Sequence, residues 1–143
     1  MKLVTKESDY AIRAVLFLAQ NKERYVSSKE ISEKDKIPLR FLRKILLKLK
    51  ENSIIETKEG VAGGIKLKKN ADKLSLNNLI NLFQGDIKFT ECLFRGNVCH
   101  NRPSCSLRKR IVSIEKKVEK EFKKITVKTL LKDYNQKNEK KNY

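Results

Sequence analysis

Residues Ser27–Lys50 read SSKEISEKDKIPLRFLRKILLKLK, and the spacing within them decides the fold. Ser27 with Glu30 three places on has the pattern of a capping box, the hydroxyl bonding forward and the carboxylate reaching back. A short helix over Ser28–Lys34 follows, with Ile31 facing inward. Asp35-Lys36-Ile37 supplies a turn, and Pro38 suits the first position of a new helix, where its missing N–H costs nothing. In that helix Leu39, Leu42, Ile45, Leu46 and Leu49 recur at helical spacing and form one inward stripe. Arg40, Arg43, Lys44, Lys48 and Lys50 fall largely on the other faces. A short helix, a tight turn and a basic amphipathic helix make a helix-turn-helix.

Toward the C-terminus, Ser53–Lys58 (SIIETK) and Ile65–Lys69 (IKLKK) read as short strands joined by Glu59-Gly60-Val61-Ala62-Gly63-Gly64. Glycines permit positive φ and close backbone approach, so this is a hairpin with a glycine-rich tip. Helix-turn-helix followed by a basic hairpin is a winged helix; the competing reading is a small helical bundle with a solvated lysine face. The charge favours the former. The 143 residues carry 34 Lys and Arg against 17 acids, a net charge of +17, which suits a polyanionic partner. An even excess would bring only solubility, so position matters more. From Lys36 to Lys50 there are six basic residues and no acid.

Outside this core, Met1–Val4 are β-prone. A helix starting at Thr5 or Ser8 and ending near Gln20–Lys22 carries Ala11, Ala14, Val15 and Leu18 on one stripe, with Asp9 in its first turn, where the helix dipole favours a carboxylate. Leu74–Phe83 is another short helix, with Ser75 as a cap and Gly85-Asp86 as its end. The longest helix runs from about Ser104 to Lys124. Its stripe, Ile111, Ile114, Val118, Phe122 and Ile125, approximates a heptad seam interrupted by Glu121. So narrow a stripe suits a partner chain; folding back on its own domain is the alternative. Thr126–Leu131 adds a short helix. The expected organisation is a DNA-binding region over 1–84, a cysteine loop over 85–105, a dimerisation helix and short final helix over 106–134, and a frayed polar tail over 135–143. The fold class is mainly α, a winged helix-turn-helix domain with a long C-terminal dimerisation helix. No apolar run reaches the ~18 residues of a membrane span.

The stretch Thr90–Arg110, TECLFRGNVCHNRPSCSLRKR, holds Cys92, Cys99 and Cys105. Its composition favours neither helix nor strand, so it can bend three sulfurs toward one spot. An odd number of thiols weighs against a disulfide framework, and no signal peptide precedes them, which points to a reducing cytoplasm. Three readings stay open: an iron–sulfur cluster, a zinc site, or free redox-sensing thiols. The C-x6-C-x5-C spacing lacks the close pairs usual for structural zinc. An enzyme would want more than one histidine, a phosphate loop or a paired acidic site, and the sequence has none of these.

SDYAIRAV (Ser8–Val15), ISEKDKIPLRFLRKIL (Ile31–Leu46), GVAGGIKL (Gly60–Leu67) and the three-cysteine loop, in this order, resemble the IscR/NsrR family of bacterial regulators, the Rrf-two superfamily, over residues 1–134. The resemblance implies a homodimeric winged-helix transcription factor in which the long helix of each subunit crosses the other. It implies that Cys92, Cys99 and Cys105 hold an iron–sulfur cluster, 2Fe–2S or 4Fe–4S, which senses nitric oxide, redox or iron–sulfur status. In the IscR-like branch a histidine three residues after the last cysteine completes the ligand set; here Arg108 stands there. In the NsrR-like branch an aspartate near the start of the first helix reaches the partner's cluster, and Asp9 matches that place, with His100 a rival inside the loop. On double-stranded DNA, Arg40 and Arg43 would read base edges, while Lys44, Lys48 and Lys58, with Ser27 and Ser28 at a helix N-terminus, would meet phosphates. Gly63 and Gly64 would let the wing approach the duplex. Glu59 occupies the wing position where many IscR-like proteins carry arginine, which weakens minor-groove reading. The alternative is a cluster-free regulator whose thiols sense oxidants directly.

Overall fold

The computed structural model describes residues 2–94 and 96–141. Helix α1, Lys6–Gln20, is capped by Thr5, whose hydroxyl accepts the Ser8 N–H. It buries Ala11, Ala14, Val15, Leu18 and Ala19, the expected stripe extended by one residue. Helix α2, Ser28–Asp35, begins at Ser27, whose Oγ accepts the Glu30 N–H at 3.1 Å. The capping box is only half made, because the Glu30 carboxylate pairs with Arg24 instead. Lys36 adopts φ 55 and turns the chain. Helix α3, Leu39–Glu51, buries Leu42, Ile45, Leu46 and Leu49. Pro38 is its N-cap rather than its first residue; in either place the lost N–H is one that no helical bond would use.

Strands β1, Ile55–Lys58, and β2, Gly64–Leu67, pair antiparallel with Lys58 opposite Gly64. The linker before α2 joins them. Val26 donates to the Ile65 carbonyl at 2.9 Å and accepts its N–H at 2.7 Å, so the wing has a third strand at one point. This explains the glycines. A Cβ on Gly64, at φ +147, would stand 2.7 Å from the Val26 carbonyl oxygen, and one on Gly63 would stand 2.1 Å from that of Lys58. Both positions are required by the fold itself.

Helix α4, Leu76–Gln84, starts with a complete box in which Ser75 and Asn78 bond each other reciprocally. Gln84 then fastens the two ends of this unit. Its Oε1 accepts the Thr5 N–H at 2.9 Å and the buried Ser8 hydroxyl at 2.7 Å. The thiol segment contains two-residue strands β3, Leu93–Phe94, and β4, Asn97–Val98, a short ladder where pure loop was expected. Helix α5, Ser106–Lys124, and helix α6, Val127–Lys141, complete the chain.

Two differences concern the ends. Residues 2–4 form no strand, and Met1 lies outside the described residues. Helix α6 continues to Lys141 instead of stopping at Leu131. Its extension over 132–141 carries four lysines and no Gly or Pro, so nothing in it breaks a helix, and the expected frayed tail is helical through 141; 142–143 lie outside the described residues. The same helix packs on α1 with Val127 fully buried, so its start belongs to the main core although the sequence grouped it with the dimerisation segment. No helix among the described residues is long and apolar enough to cross a membrane.

Candidate functional site: a basic face and a thiol loop

The apolar stripe of α3 turns into the core, which leaves Arg40, Arg43 and Lys44 exposed on the opposite face. Ser27 is exposed at the start of α2, Ser28 half-buried, and Lys58 exposed at the end of β1. The bridge between Val26 and Ile65 ties α2's N-terminus, with Ser27 and Ser28, to the wing. Lys48 is more enclosed than Arg40, Arg43 and Lys44. It is half-buried, with Nζ 5.3 Å from the centre of the Phe83 ring on α4, a cation–π position that turns it from the open face. Glu30 is held below the usual carboxylate range by its hydrogen bond to Arg24.

Two residues were missed by sequence reasoning. Tyr25 lies beside the wing with the ammonium groups of Lys58 and Lys66 at 5.6 and 5.5 Å from its ring centre, and its hydroxyl donates to Glu56 at 3.2 Å. Lys66 was legible as an outward residue from the alternation of Ile65, Lys66 and Leu67. Tyr25 was not, because nothing local announces that its linker pairs with a strand forty residues on. At the N-terminal ends of α1 and α3, a cavity of about 300 Å³ is lined by Tyr10, Pro38 and Phe41 with Lys6, Glu7 and Lys44.

The three cysteines are half-buried free thiols. Cys92 adopts φ 52, its carbonyl accepts the Cys99 N–H at 2.8 Å, and its sulfur lies 3.7 Å from the Thr90 hydroxyl. Cys105 caps α5, its Sγ accepting the Arg108 N–H at 3.4 Å. Arg108, Arg102, Lys88 and Glu115 line a cavity of about 380 Å³ with Cys92. His100 is exposed on the loop. Asp9 lies on α1 in an ion pair with Arg13 at 3.0 Å, its side chain 43% exposed. Among the described residues, no three His, Cys, Asp or Glu side chains of the single chain stand close enough to hold a metal ion.

Fold and face together define a winged-helix protein of the DNA-binding class. The family described as Rrf2, iron-dependent transcriptional regulator, matches residues 4–133, and the chain belongs to that family of transcriptional regulators. It is 33% identical over 111 residues to the regulator NsrR of Bacillus licheniformis, covering 76% of each chain, and 30% identical over 107 residues to NsrR of Shouchella clausii, covering 73% of this chain and 72% of that one. IscR of T. potens shares the fold with TM-score 0.74 at 24% identity, over 94% of this chain and 88% of its own. CymR, the global cysteine regulator of B. subtilis, does so with TM-score 0.76 at 18% identity, over 92% and 98%.

Proposed function

We propose that this regulator is a homodimer whose grip on its operator is set by an iron–sulfur cluster held on Cys92, Cys99 and Cys105. One observation carries the reading. The thiol loop runs directly into a 19-residue amphipathic helix that buries none of its residues within its own chain. Most helical stability in proteins comes from packing an amphipathic face rather than from propensity, and its stripe of Ile111, Ile114, Val118 and Phe122 has the width of a helix–helix seam. A second copy of the chain supplies the missing cover.

The donor set suits such a group in kind. Three soft sulfurs on one loop are appropriate to iron–sulfur chemistry, and none is spent in a disulfide. The Cys105 sulfur already accepts a backbone N–H at the start of α5, the end of a helix that favours negative charge. A fourth donor would come from the partner, with Asp9 the residue assigned; to serve, its carboxylate must leave Arg13. When bound, the cluster supplies sensitivity to nitric oxide or redox state. The chain's own residues do the rest. Arg40 and Arg43 read bases, Lys44 and Lys58 meet phosphates, and the link from thiol loop through α5 to the second subunit fixes the distance between the two reading heads.

Protein purified without oxygen should be coloured, with iron and sulfide in stoichiometric amounts, and Cys99→Ser should abolish both. Asp9→Ala should alter the spectrum or the nitric oxide reactivity while leaving the fold intact. A colourless, metal-free protein that binds its operator normally would leave only the thiol-sensing regulator.

A further inference from the structure

We infer that Tyr25 gathers Lys58 and Lys66 into a phosphodiester-binding site at the root of the wing, a backbone anchor separate from the base-reading face of α3. The inference rests on the proposed DNA-binding role of the wing and adds two residues to it.

The geometry begins with the bridge of Val26 to Ile65. Both side chains are buried, and strand alternation turns their neighbours Tyr25 and Lys66 to the outer face. Lys66 in turn pairs with Glu56 across β1 and β2, so Tyr25, Lys66 and Glu56 form one row across three segments. The phenol donates to Glu56 at 3.2 Å, which pins the ring. Two ammonium groups then converge on that ring, 5.6 and 5.5 Å from its centre. Like charges brought together repel, and a single carboxylate already engaged by a phenol offsets only part of that repulsion.

The ring accounts for the arrangement. Cation–π attraction holds each ammonium without using its N–H donors, so as many as six donors of two lysines remain for an incoming anion. A phosphodiester is the fitting partner. It carries one negative charge and two free oxygens, and lysine is a point charge that recognises backbone rather than base edges. The position agrees, because exposed Ser27 follows Tyr25 by two residues at the N-terminus of α2, and Lys58 ends the strand that leads to the wing tip. One arm of the duplex backbone would lie along this line.

The test uses full-length protein and a labelled random-sequence 30-base-pair duplex, titrated by fluorescence anisotropy over a range of salt. Each phosphate contact contributes about 0.9 to the slope of log affinity against log salt. Lys66→Gln should reduce the slope by about one and weaken binding several-fold at low salt. Tyr25→Leu should cost about as much as Lys58→Gln and Lys66→Gln together, while Tyr25→Phe, which keeps the ring, should bind like wild type. Circular dichroism melts separate binding loss from unfolding. An unchanged slope in Lys66→Gln, or an equal loss in the α6 variant Lys132→Gln, would overturn the site. Failure of the wild-type protein to bind any duplex would instead remove the DNA-binding reading, so the two failures are distinguishable.

Discussion

The DNA-reading half and the thiol-bearing half of this chain are built on opposite principles. Among the described residues, every buried apolar side chain except Val127 lies between Ala11 and Phe83. Between Gln84 and Thr126 no residue whose burial is described is fully buried, although α5 carries an apolar stripe, interrupted at Glu121. Hydrophobic burial is the main favourable term in folding, so the first half can hold itself together. In the second half α5 packs on α4 but leaves its apolar stripe only half-covered, so further cover would add to its stability. On the proposed reading a second copy of the chain and a cluster would supply that stability, and both could then control the region.

The comparison is sharpened by matched substitutions in the two apolar stripes. Leu49→Ala, at a fully buried position of α3, should destabilise the protein by about 2–5 kcal/mol in a urea titration. Ile114→Glu, at a position 49% exposed on α5, should leave the helical signal of the first half intact while shifting the proposed dimer to monomer in sedimentation. If Ile114→Glu unfolds the chain as Leu49→Ala does, α5 has an intrachain role and the division of labour fails. A persisting dimer would place the seam elsewhere.

Next in size is the wing. Gly64→Ala must either push the Val26 carbonyl away or distort the bridge that joins linker to wing. The expected cost exceeds about 1 kcal/mol, because alanine is strained at positive φ. Gly60, also at positive φ but with nothing within 4 Å of an added Cβ, should suffer from the backbone term alone. Equal melting temperatures for Gly64→Ala and Gly60→Ala would show that the bridge is not under steric control.

The two halves also differ in how far a reader of the sequence could see. The helix-turn-helix was legible because its apolar residues follow a 3.6 period and its punctuation by Ser27, Lys36 and Pro38 is local. The wing was legible from two short strand-like segments joined by a tip with three glycines. Errors there are small and have local causes: Glu30 found Arg24 a better partner than the Ser27 backbone, and Pro38 moved by one place. The proximity of Lys48 to the Phe83 ring was not legible, because Phe83 lies on a different helix. The thiol loop is another matter. Its thiols are plain in the sequence, but their geometry depends on contacts with no periodic signature, and the fourth donor proposed lies on another chain. Polarity misled at the end, where α6 runs to Lys141 as an exposed helix.

The smallest expected effect lies at the turn between α2 and α3. Asp35 is the last residue of α2, where the negative end of the helix disfavours a carboxylate. Its Oδ2 is buried without a hydrogen-bond partner among the described residues. Burial raises its pKa above the ordinary 3.8, and the nearby Arg13 opposes this only in part. For an acid whose folded pKa is raised, the neutral form suits the native state, so the stabilising contribution is complete below the unfolded pKa and is lost as pH rises through the folded value. Asp35→Asn, which cannot ionise, should therefore melt like wild type in acid, and its melting temperature should move slightly above wild type as pH rises from about 4 toward neutrality. Arg13→Gln should enlarge that gap, since it removes the charge that now eases Asp35 ionisation. A gap that is constant with pH would mean that Asp35 is satisfied in solution, and that the turn joining the two DNA-facing helices carries no electrostatic strain.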